Sequence, residues 1–262
     1  MNINEAVEKF SSGDSLKKSE IKEVFLSIMN NECNDAEIIS FLMTLKTKGE
    51  TVEEIAGAAE VLREMCQKLK LNSNELVDTC GTGGDGQNTF NISTASAIVA
   101  AAAGVKIAKH GNKSISSKSG SADLLEYSGI NIDLDEEQAK KCFEDNGITF
   151  MFAPKYHKAM KSVSTVRKSI KTRTIFNVLG PLSNPANAKF QILGVYDKEL
   201  VLPIAKVIKD KKKVLIVKIQ RELNIYRERL NKKCHDGEII PLLPVCPVSC
   251  NIFKQFCPKP SA

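Results

Sequence analysis

Apolar residues recur at helical spacing through residues 2–70, as in Leu16, Ile21, Val24, Phe25 and Ile28. Two capping boxes, Asn34-Asp35-Ala36-Glu37 and Thr51-Val52-Glu53-Glu54, predict helix starts, and Gly49 predicts a stop between them. Beyond residue 70 the period changes. Short apolar strands are predicted at Leu76–Asp78, Val105–Lys109, Ile148–Phe152, Phe190–Val195 and Val214–Val217. Helical stretches lie between them, among them Ala95–Ala103, Glu136–Asn146 and Leu200–Ile208. Strand–helix alternation of this kind predicts a mainly parallel sheet covered on both faces. The fold class is therefore α/β: a small N-terminal helical domain, residues 1–70, then a larger mainly parallel sheet flanked by helices, residues 71–217.

The alternation breaks at Lys218. Residues Gln220–Lys233 fit a basic amphipathic helix, but Pro241, Pro244, Pro247, Pro258 and Pro260 interrupt the remainder of the chain. The sheet is expected to stay incomplete on its C-terminal side. Residues 218–262 are read as a separate basic tail containing proline and cysteine, a foreign or out-of-frame ending. Charge agrees with that division: from Pro203 onward there are 13 Lys and Arg against 5 Asp and Glu, whereas the remainder has 24 against 26. The basic excess thus lies in the stretch from Pro203 onward, which argues against a body that binds nucleic acid generally.

With 42% apolar residues over 262 positions, the chain has enough material for a large core. No apolar run reaches membrane-spanning length and the segment Met1–Ala6 is unlike a signal peptide, so a cytoplasmic protein that meets no membrane is expected. Cys33, Cys66, Cys80 and Cys142 stand singly and are read as reduced and packed. Cys234, His235, Cys246, Cys250 and Cys257 do not have the spacing of a compact zinc site.

Candidate chemistry gathers between Val77 and Asn112. The run Asp78-Thr79-Cys80-Gly81-Thr82-Gly83-Gly84-Asp85-Gly86 follows an apolar strand, and its glycines let backbone N–H groups face an anion. Ser93 and Thr94 precede the apolar run Ala95–Ala103, where hydroxyl caps of a helix N-terminus are expected. A glycine-rich turn beside a helix start makes a phosphate cradle. Lys109 and His110 come at the end of the next short strand and add positive charge. Polar loops at successive strand ends match the ligand position of open α/β sheets.

The segments Asp78–Asp85, Asn91-Ile92-Ser93-Thr94, Lys109–Asp123, Arg173-Thr174-Ile175-Phe176-Asn177 and Leu179–Pro185 together resemble the anthranilate phosphoribosyltransferases. The resemblance covers the chain from near its start to about Val217. It implies transfer of the phosphoribosyl group from phosphoribosyl pyrophosphate to anthranilate with Mg2+, in tryptophan biosynthesis, by a homodimer joined through its helical domain. For the phosphoribosyl donor it implies Gly81, Gly84, Asp85, Thr89, Asn91, Ile92, Ser93, Thr94, Lys109, His110, Gly111, Asn112, Lys113, Ser114, Ile115, Ser116, Ser117 and Ser121. For anthranilate it implies Gly81, His110, Asn112, Pro154, His157 and Arg167. Lys109, Asp85 and Arg167 are the expected catalytic residues, and Ser93 the expected metal ligand.

Where the resembled pattern continues with an acidic pair for a second magnesium, this chain reads Lys218-Ile219-Gln220-Arg221-Glu222-Leu223-Asn224. Pyrimidine nucleoside phosphorylases share the architecture but carry a different phosphate motif. An inactive relic and a nucleic-acid-binding relative are the remaining readings. Against the latter stand the sparse aromatics of the tail, Tyr226, Phe253 and Phe256.

Overall fold

The computed structural model describes residues 1–83, 91–114 and 119–209, and the backbone of 213–217. The tail from 218 to 262, with its expected basic helix and its cysteines, lies outside the described residues.

Four helices open the chain: α1 (Ile3–Ser11), α2 (Lys18–Met29), α3 (Asp35–Lys48) and α4 (Val52–Met65). Both predicted capping boxes form, with Asn34 and Thr51 accepting from the backbone of Glu37 and Glu54. Gly49 ends α3 at φ 88°, a conformation that costs glycine little. Glu54 does more than cap. Its carboxylate is fully buried and accepts from the Leu16 and Thr51 N–H groups at 2.9 and 2.7 Å and from Lys48 Nζ at 2.9 Å. One side chain therefore ties the entry of α2, the end of α3 and the start of α4.

A five-stranded, wholly parallel sheet follows, in the order β3-β2-β1-β4-β5. Its strands are β1 (Val77–Gly81), β2 (Ile107–Gly111), β3 (Ile148–Phe152), β4 (Phe190–Gly194) and β5 (Lys213–Val217). Helices α5 (Ile92–Ala102), α6 (Ser121–Tyr127), α7 (Glu136–Asn146), α8 (Ala153–Tyr156), α9 (Ser164–Ile170), α10 (Ile175–Leu182) and α11 (Val201–Ile208) connect them. β3 and α7 fall at their predicted bounds. β1 and β2 end later than predicted, so His110 lies within a strand rather than after it. Helix α5 starts at Ile92, with Asn91 at its cap position, so Ser93 and Thr94 sit in its first turn instead of capping it.

The hydrophobic core runs without a break from α1–α4 into α10, β4 and α11. Phe25 is its junction, with ring centroids 6.1 Å from Phe41 and 5.7 Å from Phe176. Burial of such aromatic surface adds favourable free energy where the N-terminal helices meet α10. Cys33, Cys66, Cys80 and Cys142 are free thiols, buried or half-buried as expected. Among the described residues no helix is long and apolar enough to cross a membrane.

Candidate active site

A cleft of about 760 Å3 opens at the carboxyl ends of β1, β2 and β3. Alternation along β2 divides its polar groups. Lys109 points to the face covered by α5: its Nζ donates to the Thr79 carbonyl and lies 3.3 Å from Ser93 Oγ. The Thr79 hydroxyl donates to the Ser93 carbonyl at 2.7 Å, which ties the first turn of α5 to β1. His110 points to the opposite face, with its ring 5.0 Å from that of His157.

Burial shapes the charges. Lys109 is almost inaccessible, and desolvation pushes its ammonium below the ordinary lysine range, with Asp78 and Cys80 pulling the other way. His157 is lowered to about 3 by burial and then by the neighbouring His110, against a hydrogen bond to the Ser183 backbone, so it is a neutral imidazole at physiological pH. Burial alone lowers the Arg167 guanidinium, which rests 5.5 Å from the Phe176 ring centre. Arg167 has no carboxylate partner among the described residues.

One carboxylate organises the loop after β2. Asp123 Oδ2 accepts from the Ser114 and Gly120 N–H groups at 2.8 and 2.7 Å. Desolvation raises its pKa, but these bonds outweigh that and hold it below the usual carboxylate range. Asn91 closes the other side, donating to Ser119 Oγ at 3.1 Å and to the Gly120 carbonyl at 3.2 Å. A Cβ on Gly120 would stand 2.5 Å from the Ser114 nitrogen, so only glycine allows this approach.

Of the residues expected from the sequence, Gly81, Asn91, Ser93, Lys109, His110, Gly111, Asn112, Lys113, Ser114, Ser121, Pro154, His157 and Arg167 line this one cleft. Ile92 and Thr94 do not line it, and Thr94 is packed inside. Gly84, Asp85, Thr89, Ile115, Ser116 and Ser117 lie outside the described residues. Sequence reasoning gives no role to the wall made by Lys158, Met160, Lys161, Ser164 and Lys168, nor to Phe176, Asn177, Gly180, Pro181 and Ser183. The last five fall in the motifs after Arg173, which is the available signal. The lysine wall has none, because tertiary folding alone brings it to the cleft.

Among the described residues the lining holds six Lys and Arg side chains and no Asp or Glu. No three His, Cys, Asp or Glu side chains among them converge as a metal cage. Such a cleft suits a polyanion that brings its own counter-charge, next to an aromatic or amide-lined compartment for a second reactant.

The family model for the glycosyl transferase family, helical bundle domain, matches residues 4–66. That for the glycosyl transferase family, a/b domain, matches residues 73–241, so the likeness reaches past Val217 into the tail. An anthranilate phosphoribosyltransferase of Clostridium kluyveri is 52% identical over 206 residues, 79% of this chain and 62% of that one. One from Hydrogenovibrio crunogenus is 50% identical over 227 residues, 86% and 67% of the two chains. Among solved structures, anthranilate phosphoribosyltransferase from Thermus thermophilus superposes with a TM-score of 0.75 at 39% identity, over 81% of this chain and 66% of that one. The Saccharomyces cerevisiae enzyme in complex with phosphoribosyl pyrophosphate and Mg gives 0.75 at 34% identity, over 82% and 64%. The chain spans about 62% of the length of the first curated relatives it matches.

Proposed function

Because the chain belongs to the glycosyl transferase family, carrying both its helical-bundle and its a/b domain, we propose that it moves the phosphoribosyl group from phosphoribosyl pyrophosphate to the amine of anthranilate. The products are N-(5-phosphoribosyl)anthranilate and pyrophosphate, a step of tryptophan biosynthesis. The observation that carries this reading is the cation-lined cleft, free of acids among the described residues and split by β2 into a Lys109–Ser93 face and a His110–His157 face.

On the first face, Lys109 and the first turn of α5 receive the diphosphate, and Asn91, Asn112, Ser114 and Ser121 hold the ribose and its 5′-phosphate by hydrogen bonds. Lys109 offsets charge on the leaving oxygen as the C–O bond breaks. On the second face, Arg167 pairs with the anthranilate carboxylate, and Pro154, His110 and His157 wall the ring. An arylamine attacking an electron-poor sugar carbon depends on position more than on a strong base, so neutral His157 serves as wall and polar contact. Asp85 keeps its proposed part outside the described residues.

The yeast relative holds Mg with its phosphoribosyl pyrophosphate. Here the described donors fit an ion only weakly: Ser93 Oγ faces the cleft, but Lys109 Nζ is 3.3 Å away and no described carboxylate lines the site. Magnesium is therefore assigned to the substrate, arriving on the diphosphate with Ser93 as one further oxygen, and it would neutralise the departing pyrophosphate. The same reading carries a cytoplasmic homodimer, with residues 1–70 as the contact domain, to be checked by light scattering.

Anthranilate fluorescence provides the test, since the chain has no tryptophan to obscure it. Incubation with phosphoribosyl pyrophosphate and magnesium should extinguish the signal only when both are present. Unchanged fluorescence from a cooperatively folded sample would remove the proposal.

A further inference from the structure

Gln191 is the one strongly polar side chain on β4, and it is almost fully buried. It lies outside the cleft lining, beneath it. Its Nε2 reaches three acceptors: the Pro181 carbonyl at 2.7 Å, Cys80 Sγ at 3.0 Å and Asp78 Oδ2 at 3.2 Å. Asp78, also fully buried, uses its other oxygen to accept the His110 backbone N–H at 3.2 Å. Cys80, His110 and Pro181 all line the cleft. A single amide thus joins β4 to β1, through Asp78 to β2, and to the last turn of α10.

Physical chemistry explains why a donor is needed there. The Pro181 carbonyl belongs to the final turn of α10, whose carbonyls have no partner within the helix. The Asp78 carboxylate is fully buried and, among the described residues, accepts from one backbone N–H besides this amide. Without Nε2 the Pro181 carbonyl would lose this donor and the Asp78 carboxylate would keep the His110 N–H as its remaining described donor. The carbonyl oxygen of Gln191 has no hydrogen-bond partner among the described residues, so the side chain is retained for what it donates.

These contacts share one face of the sheet. Asp78, Cys80, Gln191 and His110 point the same way by register, opposite to Thr79 and Lys109. We propose that Gln191 is a positioning residue for the acceptor half of the cleft, setting His110 and the C-terminal end of α10 without touching either reactant. The proposal rests on the transferase reading above.

Gln191→Leu keeps similar volume and removes the donor. In the full chain we expect the anthranilate KM to rise about tenfold, the equivalent of about one lost hydrogen bond, with the KM for phosphoribosyl pyrophosphate held within about twofold. Equal changes in both constants, or none, would overturn the proposal, since a merely structural role gives no such split. A second readout needs no turnover: the ring-proton NMR signals of His110 and His157 should shift in the variant. If the wild-type chain leaves anthranilate untouched, the functional reading fails, while unmoved histidine signals would separately end the positioning role. Should Gln191→Leu fail to fold, the pair Asp78→Asn with Gln191→Leu removes the buried carboxylate and carries the same comparison.

Discussion

Replacing Lys109 by methionine tests how the cleft is built. The ammonium is almost inaccessible, and burial depresses its pKa against the pull of Asp78 and Cys80. Desolvating an ion costs several kcal/mol after relaxation. Its return is a bond to the Thr79 carbonyl and a longer one to Ser93 Oγ, about 1.5–3 kcal/mol each for a charged donor. The two sides nearly cancel. Lys109→Met should therefore lie within about 1 kcal/mol of the parent at pH 7, far from the roughly 3–5 kcal/mol lost when a well-compensated buried charge loses its partner.

Turnover should behave in the opposite way, falling on the order of 10²–10³-fold as charge on the leaving diphosphate goes unmet. Linkage adds a sign. The unfolded chain keeps the lysine proton up to its ordinary value of 10.5, while the native protein releases it earlier. Between those two values the unfolded state binds more protons, so native stability rises with pH, by at most about 1.4 kcal/mol per pH unit. Urea denaturation of both proteins at pH 7, 8, 9 and 10 would show the parent gaining on the variant. A flat difference, or a variant several kcal/mol weaker at pH 7, would refute the view of Lys109 as a charge held at a cost for catalysis.

Glu54→Ala should destabilise the protein by about 3 kcal/mol in urea melts, toward the low end for a broken buried pair, because Lys48 keeps the Gly49 carbonyl and Ser15 Oγ as acceptors. Arg167→Met should raise the anthranilate KM about thirtyfold or more, the equivalent of about 2 kcal/mol from a lost charge pair, and leave the donor KM alone; a matching loss for both substrates would place Arg167 elsewhere in the reaction. His157 is lowered from its ordinary 6.5 to about 3, so the unfolded chain takes up its proton first as pH falls. Stability should drop between about 6.5 and 3 relative to His157→Phe, and parallel melting curves for the two proteins would count against the neutral imidazole.

The scaffold is readable from the sequence where local signals are dense. β3 is an apolar run between Gly147 and Pro154, and α7 is bounded by the Asp135–Gln138 box and Gly147, so both are found at their bounds. β1 is predicted too short, and β2 two residues too early, because Thr79, Cys80 and His110 look like loop residues. They are strand residues whose polarity is set by the cleft at their ends. The helix start at Ile92 is displaced for a related reason, two hydroxyls in the first turn imitating a cap. Gln191 reads as an ordinary strand position, and the wall from Lys158 to Lys168 carries no local pattern. Their meaning comes from neighbours distant in sequence: Asp78 for the one, the mouth of β2 and β3 for the other.

Lys109 and His110 are adjacent in the chain yet belong to opposite sides of the sheet. A strand one peptide thick acts as a partition, so the two compartments can be altered separately. Substitutions among Pro154, His157, Arg167 and Phe176 can re-shape the compartment proposed for the acceptor while the Lys109–Ser93–Thr79 contacts stay as they are. The same geometry forbids an insertion or deletion before Lys109 within β2, because a slip of one residue would exchange the two side chains and empty both rooms together. A strand built this way tolerates point substitution in either compartment and is held rigidly to its length.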